Sequence, residues 1–90
     1  MDGALTNKQL LSDLGYEDVI IFTNPDYNSA IIGVSSDNRV IYDYDEMVAC
    51  LMVEDDMTME EAMDFIDYNT LRALPYAGEA APIVMYNINF

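Results

Sequence analysis

The sequence predicts one α+β domain over residues 1–90, a small antiparallel or mixed sheet of about four strands packed by two to three helices. The expected element order is α-β-β-β-α-α-β. Three observations carry this reading. Short β-branched and aromatic runs bounded by turn residues fill the first half. Two capping-box spacings open the second half. A final apolar run follows Pro82. Ninety residues suffice for one modest core, and a chain that is 52% hydrophobic has the apolar surface to build it. No repeat, linker or low-complexity tract interrupts the chain.

The first expected helix spans Thr6–Gly15, with Thr6 as N-cap, Gln9 three residues on, and Gly15 as a left-handed stop. Val19-Ile20-Ile21-Phe22-Thr23 reads as a strand closed by Asn24-Pro25-Asp26. Ala30–Ser35 and Arg39–Tyr44 flank Ser36-Asp37-Asn38 and read as a β-hairpin. Alternation in its second arm puts Val40, Tyr42 and Tyr44 on one face. Asp43/Glu46 and Thr58/Glu61 have capping-box spacing and open helices expected over Tyr44–Glu54 and Met59–Leu74. The run Met47–Val53 is apolar on almost every side, which predicts a helix surrounded by other elements. In the following helix Met59, Ala62, Met63 and Ile66 form an apolar stripe, and Glu60, Asp64 and Asp67 an acidic one. Pro75 ends that helix, a loop leads to Pro82, and Ile83–Phe90 is the last expected strand.

Charge narrows the function. Seventeen acids face only Lys8, Arg39 and Arg72, a net charge of −14. That is far beyond the magnitude of about 2–8 that serves solubility in a small domain. Self-repulsion at this density opposes compactness, so the fold should gain stability from salt. Three scattered bases cannot neutralise a nucleic-acid backbone, which excludes direct nucleic-acid binding. No histidine supplies a group titrating near neutrality, and carboxylate pairs are unremarkable in so acidic a chain, so no enzyme is expected. Asn24-Pro25-Asp26-Tyr27-Asn28 echoes the start of a calcium loop. Ser29 and Ser35, however, stand where the turn glycine and the bidentate acid belong, so neither a metal nor another cofactor is expected. Cys50 has no disulfide partner and reads as a small buried residue. No run is apolar enough to span a bilayer, and the amino terminus lacks an export pattern, which predicts a cytoplasmic protein without a membrane partner.

What the charge can do is attract a cationic partner. From Val40 to Leu71 no base appears, although mixed signs four residues apart would stabilise a helix. Helical residues four apart stand ~6 Å apart along the axis, so Glu60, Asp64 and Asp67 make a row of roughly phosphate-like spacing. Glu54, Asp55 and Asp56 precede the row and Glu61 lies within it. These seven carboxylates are the candidate partner-binding residues, aimed at a protein with a Lys/Arg groove built for nucleic acid. Tyr44, Tyr68 and Tyr76 flank the acidic stretches and are candidate anchors. The plainer reading is a solvated face that keeps the chain soluble.

The segment Glu60-Glu61-Ala62-Met63-Asp64-Phe65-Ile66-Asp67-Tyr68-Asn69-Thr70-Leu71-Arg72-Ala73-Leu74-Pro75-Tyr76, followed by Pro82-Ile83-Val84-Met85-Tyr86, resembles a group of small acidic, uncharacterised proteins of phages and mobile elements in gut Firmicutes. Val40–Met47 is similar to part of the same pattern, so the resemblance covers roughly the carboxy-terminal half. It carries no site residues. It implies a phage setting inside a bacterial host, where small acidic proteins often act as counter-defence factors such as anti-CRISPR proteins, many of them nucleic-acid mimics. The expected function is therefore an inhibitor occupying the nucleic-acid channel of an RNA-guided CRISPR nuclease. The alternatives are an inhibitor of a restriction or DNA-repair enzyme, and a phage accessory or structural protein whose acidity only confers solubility.

Overall fold

A computed structural model of the chain describes residues 7–16, 18–23 and 25–88. The expected N-cap Thr6, the turn residue Asn24 and the end of the last strand at 89 and 90 lie outside these residues. The described fold is α+β, with three strands rather than about four.

Helix α1 (Asn7–Asp13) ends where Gly15 adopts φ +97°. The Gly15 N–H donates to the Ser12 carbonyl at 3.0 Å and the Tyr16 N–H to the Leu11 carbonyl at 2.8 Å. This double bond set satisfies carbonyls the last turn would otherwise leave open, and it needs a residue free of the Cβ penalty at position 15.

Val19–Thr23 does not form the expected strand. Its composition still finds an apolar surface: Val19, Ile21 and Phe22 pack against the core. Phe22 sets its ring against Tyr27 at 5.6 Å and Tyr42 at 4.6 Å, and its backbone N–H donates to the Tyr42 hydroxyl at 3.1 Å. A side-chain oxygen thus takes the donor that a ladder would have used. β-branched residues report fitness for a half-buried extended surface, and strand pairing is a separate condition that this segment does not meet among the described residues.

The hairpin forms as expected. Strand β1 (Ile31–Val34) runs antiparallel to β2 (Val40–Asp43), with Val34 opposite Val40 and Ile31 opposite Tyr42. A bulge between Ile31 and Gly33 leaves Ile32 out of register and half exposed. In the turn, the Ser35 N–H donates to the Arg39 carbonyl at 2.8 Å, and Asn38 takes a left-handed φ of 64°. Val40 and Tyr42 are fully buried, and Tyr44, which opens α2, is buried too.

Helix α2 (Tyr44–Glu54) has the predicted bounds. Asp43 caps it by accepting from the Asp45 N–H at 2.9 Å, one residue short of the capping-box exchange its spacing suggested. The helix is not surrounded. Tyr44, Met47, Val48, Cys50 and Leu51 are buried, but Val53 is 82% exposed and Met52 also faces out. Its neighbours, β2, helix α3 and a 3-10 turn at Asn28–Ala30, take up one side only.

Helix α3 (Met59–Phe65) opens with the expected capping box, both bonds present: the Thr58 N–H donates to Glu61 at 2.9 Å, and the Glu61 N–H to the Thr58 hydroxyl at 3.1 Å. The predicted single helix to Leu74 is broken in kind. Ile66–Leu71 is π-helical, and Leu74–Ala77, with Pro75 at its start, is a 3-10 turn. A local cause is visible. The Asn69 amide donates at 3.1 Å to the Phe65 carbonyl, the acceptor that an α-helix reserves for the Asn69 backbone N–H. Of the predicted stripe, Ala62 and Ile66 are fully buried, whereas Met59 and Met63 are exposed. The short helix offers one narrow contact face, and flexible methionines at its margin remain in solvent.

Strand β3 is Ile83–Met85, far shorter than the expected run to Phe90 among the residues described. It lies parallel to β2, with Ile41 opposite Ile83 and Asp43 opposite Met85, so β2 is the central strand. The Arg39 guanidinium donates from Nε to the Ala81 carbonyl at 2.8 Å, holding the approach to β3 against the hairpin. The largest fully buried side chains are Tyr27, Tyr42, Met47, Leu51, Ile66 and Val40. No described helix is long and apolar enough to cross a membrane.

Candidate partner-binding surface

The corner between α2 and α3 carries six of the seven predicted carboxylates, Asp67 lies on the π-helical segment beyond α3, and every one is exposed. Glu54 is the last residue of α2, and Asp55 caps it with its N–H bonded to the Leu51 carbonyl at 2.9 Å. Asp56 turns the chain at φ 58°, a left-handed conformation that aspartate tolerates better than most side chains. Glu60 and Glu61 occupy the first turn of α3, where negative charge complements the helix N-terminus.

Four of the seven come together. Asp55, Asp56, Glu61 and Asp64 line one open depression of about 590 Å³, along with Met57, Phe65, Tyr68 and Asn69. Glu54, Glu60 and Asp67 lie outside its lining. The expected Glu60–Asp64–Asp67 row is therefore not one straight edge, because Asp67 falls on the π-helical segment, where the turn widens.

Three of the seven also hold an internal donor. Glu61 accepts from the Thr58 N–H in the capping box. Asp67 accepts from the Tyr44 hydroxyl at 3.1 Å. Burial, with the Asp67 carboxylate second, pushes the Tyr44 phenol up to about 12. Glu54 accepts from the Cys50 thiol at 3.2 Å, and that thiol is pushed up to about 11 by burial and then by Glu54. Asp55, Asp56, Glu60 and Asp64 make no side-chain hydrogen bond among the described residues.

The charges ring the depression without converging. No group of three or more Cys, Asp or Glu side chains among the described residues is placed to hold a metal ion. The arrangement is an anionic field with an aromatic element in it, suited to ammonium or guanidinium groups that arrive with their own spacing.

Of the proposed tyrosine anchors, Tyr68 lies in the depression and is largely exposed. Tyr44 is not an anchor, being buried beneath Asp67 with its ring 4.9 Å from that of Tyr86. Tyr76 is exposed on the 3-10 turn and lines no part of the depression. Met57, Phe65 and Asn69 were missed as lining residues. Only Met57 had a usable signal, as the lone apolar residue between the acidic turn and the capping box.

No protein-family model, curated protein or solved structure matches this chain.

Proposed function

We propose that this chain is a non-enzymatic inhibitor that imitates a polyanion, placing the corner between α2 and α3 in the Lys/Arg-lined nucleic-acid channel of another protein. The observation that supports it best is the gathering of Asp55, Asp56, Glu61 and Asp64 around one open depression, in a stretch without a base from Val40 to Leu71. Unneutralised exposed carboxylates around an open depression attract cationic side chains over a Debye length and accelerate their encounter. Tyr68 adds a rigid aromatic face on which an arginine can stack. Given the phage resemblance of the carboxy-terminal half, the favoured target is an RNA-guided nuclease. The carboxylates would meet the arginines that read the PAM or hold the heteroduplex backbone.

The test is inhibition of such a nuclease by the parent chain and by the triple reversal Asp55→Lys, Asp56→Lys and Asp64→Lys, three side chains that make no cap or internal hydrogen bond among the described residues. Reversal should slow association by about 10-fold or more and flatten its dependence on salt. Undiminished inhibition by the variant would show that the acidity serves solubility alone. Inhibition of a restriction or repair enzyme in place of the nuclease would keep the mimicry and change the target.

A further inference from the structure

A second concavity, which shares Phe65 and Asn69 with the first, lies between the π-helical segment and residues 20–23 and 25–27, with a volume of about 310 Å³. Phe22, Pro25, Phe65, Leu74 and Pro82 supply apolar wall, and no Asp, Glu, Lys or Arg among the described residues lines it. Two buried residues that carry hydroxyls, Tyr27 and Thr70, also line it, and their hydroxyls are joined by a 2.8 Å hydrogen bond across 43 residues of sequence. Both come from irregular backbone. Tyr27 sits at φ 46°, ψ 38°, unusual for so bulky a residue, and Thr70 belongs to the π-helix, a form that recurs at functional sites. Two departures from regular structure thus meet at one cleft and bring one polar pair to its lining.

We propose that this cleft binds a small, uncharged, largely apolar molecule bearing one hydrogen-bonding group, seated against the Tyr27/Thr70 hydroxyl pair. Each hydroxyl offers one donor and two acceptor positions, so their mutual bond leaves one O–H and several lone pairs for a ligand. Burial pushes the Tyr27 phenol up, which keeps that proton in place. An ion would lose its hydration here without finding a counter-charge, and an anion would also meet the net charge of −14. The volume sets the size. It is about twice the ~150 Å³ of an apolar cavity that takes benzene, so a ligand of on the order of ten non-hydrogen atoms fits. That is also the lower end of the usual range for ligand pockets.

The experiment is a titration of the ¹⁵N-labelled full chain, followed by amide shifts, with three probes of similar shape: p-cresol, p-xylene and p-toluate. p-Cresol should give saturable shifts in residues 20–23, 27 and 69–74, and p-toluate should bind at least about 10-fold more weakly. Thr70→Val should weaken p-cresol about 5-fold or more and leave p-xylene within about 2-fold, whereas Thr70→Ser should restore p-cresol. Ala73→Phe, at an exposed position on the wall, should block all probes while leaving distant amides unshifted. Absence of saturable shifts, shifts mapping elsewhere, or unchanged binding by Ala73→Phe would overturn the proposal. So would N-acetyltyrosinamide binding as tightly as p-cresol, because the cleft would then be built for a partner's side chain.

Discussion

Cys50 and Tyr44 face into the fold from α2, and each donates to a carboxylate at the surface, Glu54 and Asp67 respectively. Both are neutral acids whose protons the folded state retains. Cys50 rises from 9.0 to about 11 and Tyr44 from 10.0 to about 12, with burial the larger cause in each. The folded chain therefore binds more protons than the unfolded chain once pH passes 9. The associated stability is complete below the unfolded values and is lost as pH rises through the folded ones. Denaturation midpoints should fall between about pH 9 and 12. Cys50→Ala should flatten the lower part of that fall, and an unaltered curve for this variant would assign the loss elsewhere. At this scale the sequence was legible for Cys50, read as a buried apolar residue, and illegible for Tyr44. Alternation placed Tyr44 on the face of Val40 and Tyr42, but its place beside acidic residues read as a partner anchor, and nothing local names Asp67 as its acceptor.

Helix α2 shows how far periodicity carries at the scale of an element. Its bounds follow from an N-cap at Asp43 and from a chain that must turn at Asp55-Asp56, both local features. The extent of its buried face does not, because an all-apolar run fits a helix packed on one side or on several. Leu51 is fully buried and Val53 is 82% exposed, two residues apart in the same run. Leu51→Ala should cost about 2–5 kcal/mol, whereas Val53→Ala should stay within about 0.5 kcal/mol. Urea denaturation of the two variants measures both, and comparable losses would mean that a partner surface covers Val53. Helix α3 makes the complementary point. Its capping box was readable because it needs only Thr58 and Glu61 three residues apart. The change to π geometry after Phe65 was not, since it depends on an Asn69 side chain competing for a backbone carbonyl and on Thr70 reaching Tyr27.

For the whole molecule, the dominant quantity is a net charge of −14 on a chain of ninety residues. Carboxylates crowded at one corner repel one another in the compact state and relax when the chain opens. Raising sodium chloride from about 0.01 M to about 1 M shortens the screening length from ~30 Å to ~3 Å. A relief of about 1 kcal/mol would lift the thermal midpoint by about 4–8 °C. A midpoint indifferent to salt would show that the charges are spaced widely enough to ignore one another. The same field underlies the proposed mimicry, so stability should rise with salt as association with a cationic channel weakens. Opposite responses of one protein to one variable distinguish self-repulsion from recognition.

The sequence by itself determined the hairpin, the bounds of α2, the Thr58 capping box, the left-handed stop at Gly15 and the sign of the surface. Each depends on composition or on residues a few positions apart, where backbone geometry leaves little choice. Only the tertiary structure decided that Val19–Thr23 pairs with none of the described strands, that four acids share one depression while three lie outside it, and that a hydrogen-bonded Tyr27/Thr70 pair belongs to residues lining a largely apolar cleft. Those outcomes turn on meetings such as Phe22 with Tyr42 and Tyr27 with Thr70, 20 and 43 residues apart. Contacts at such separations are selected by how the whole core packs, so no short stretch of sequence contains them.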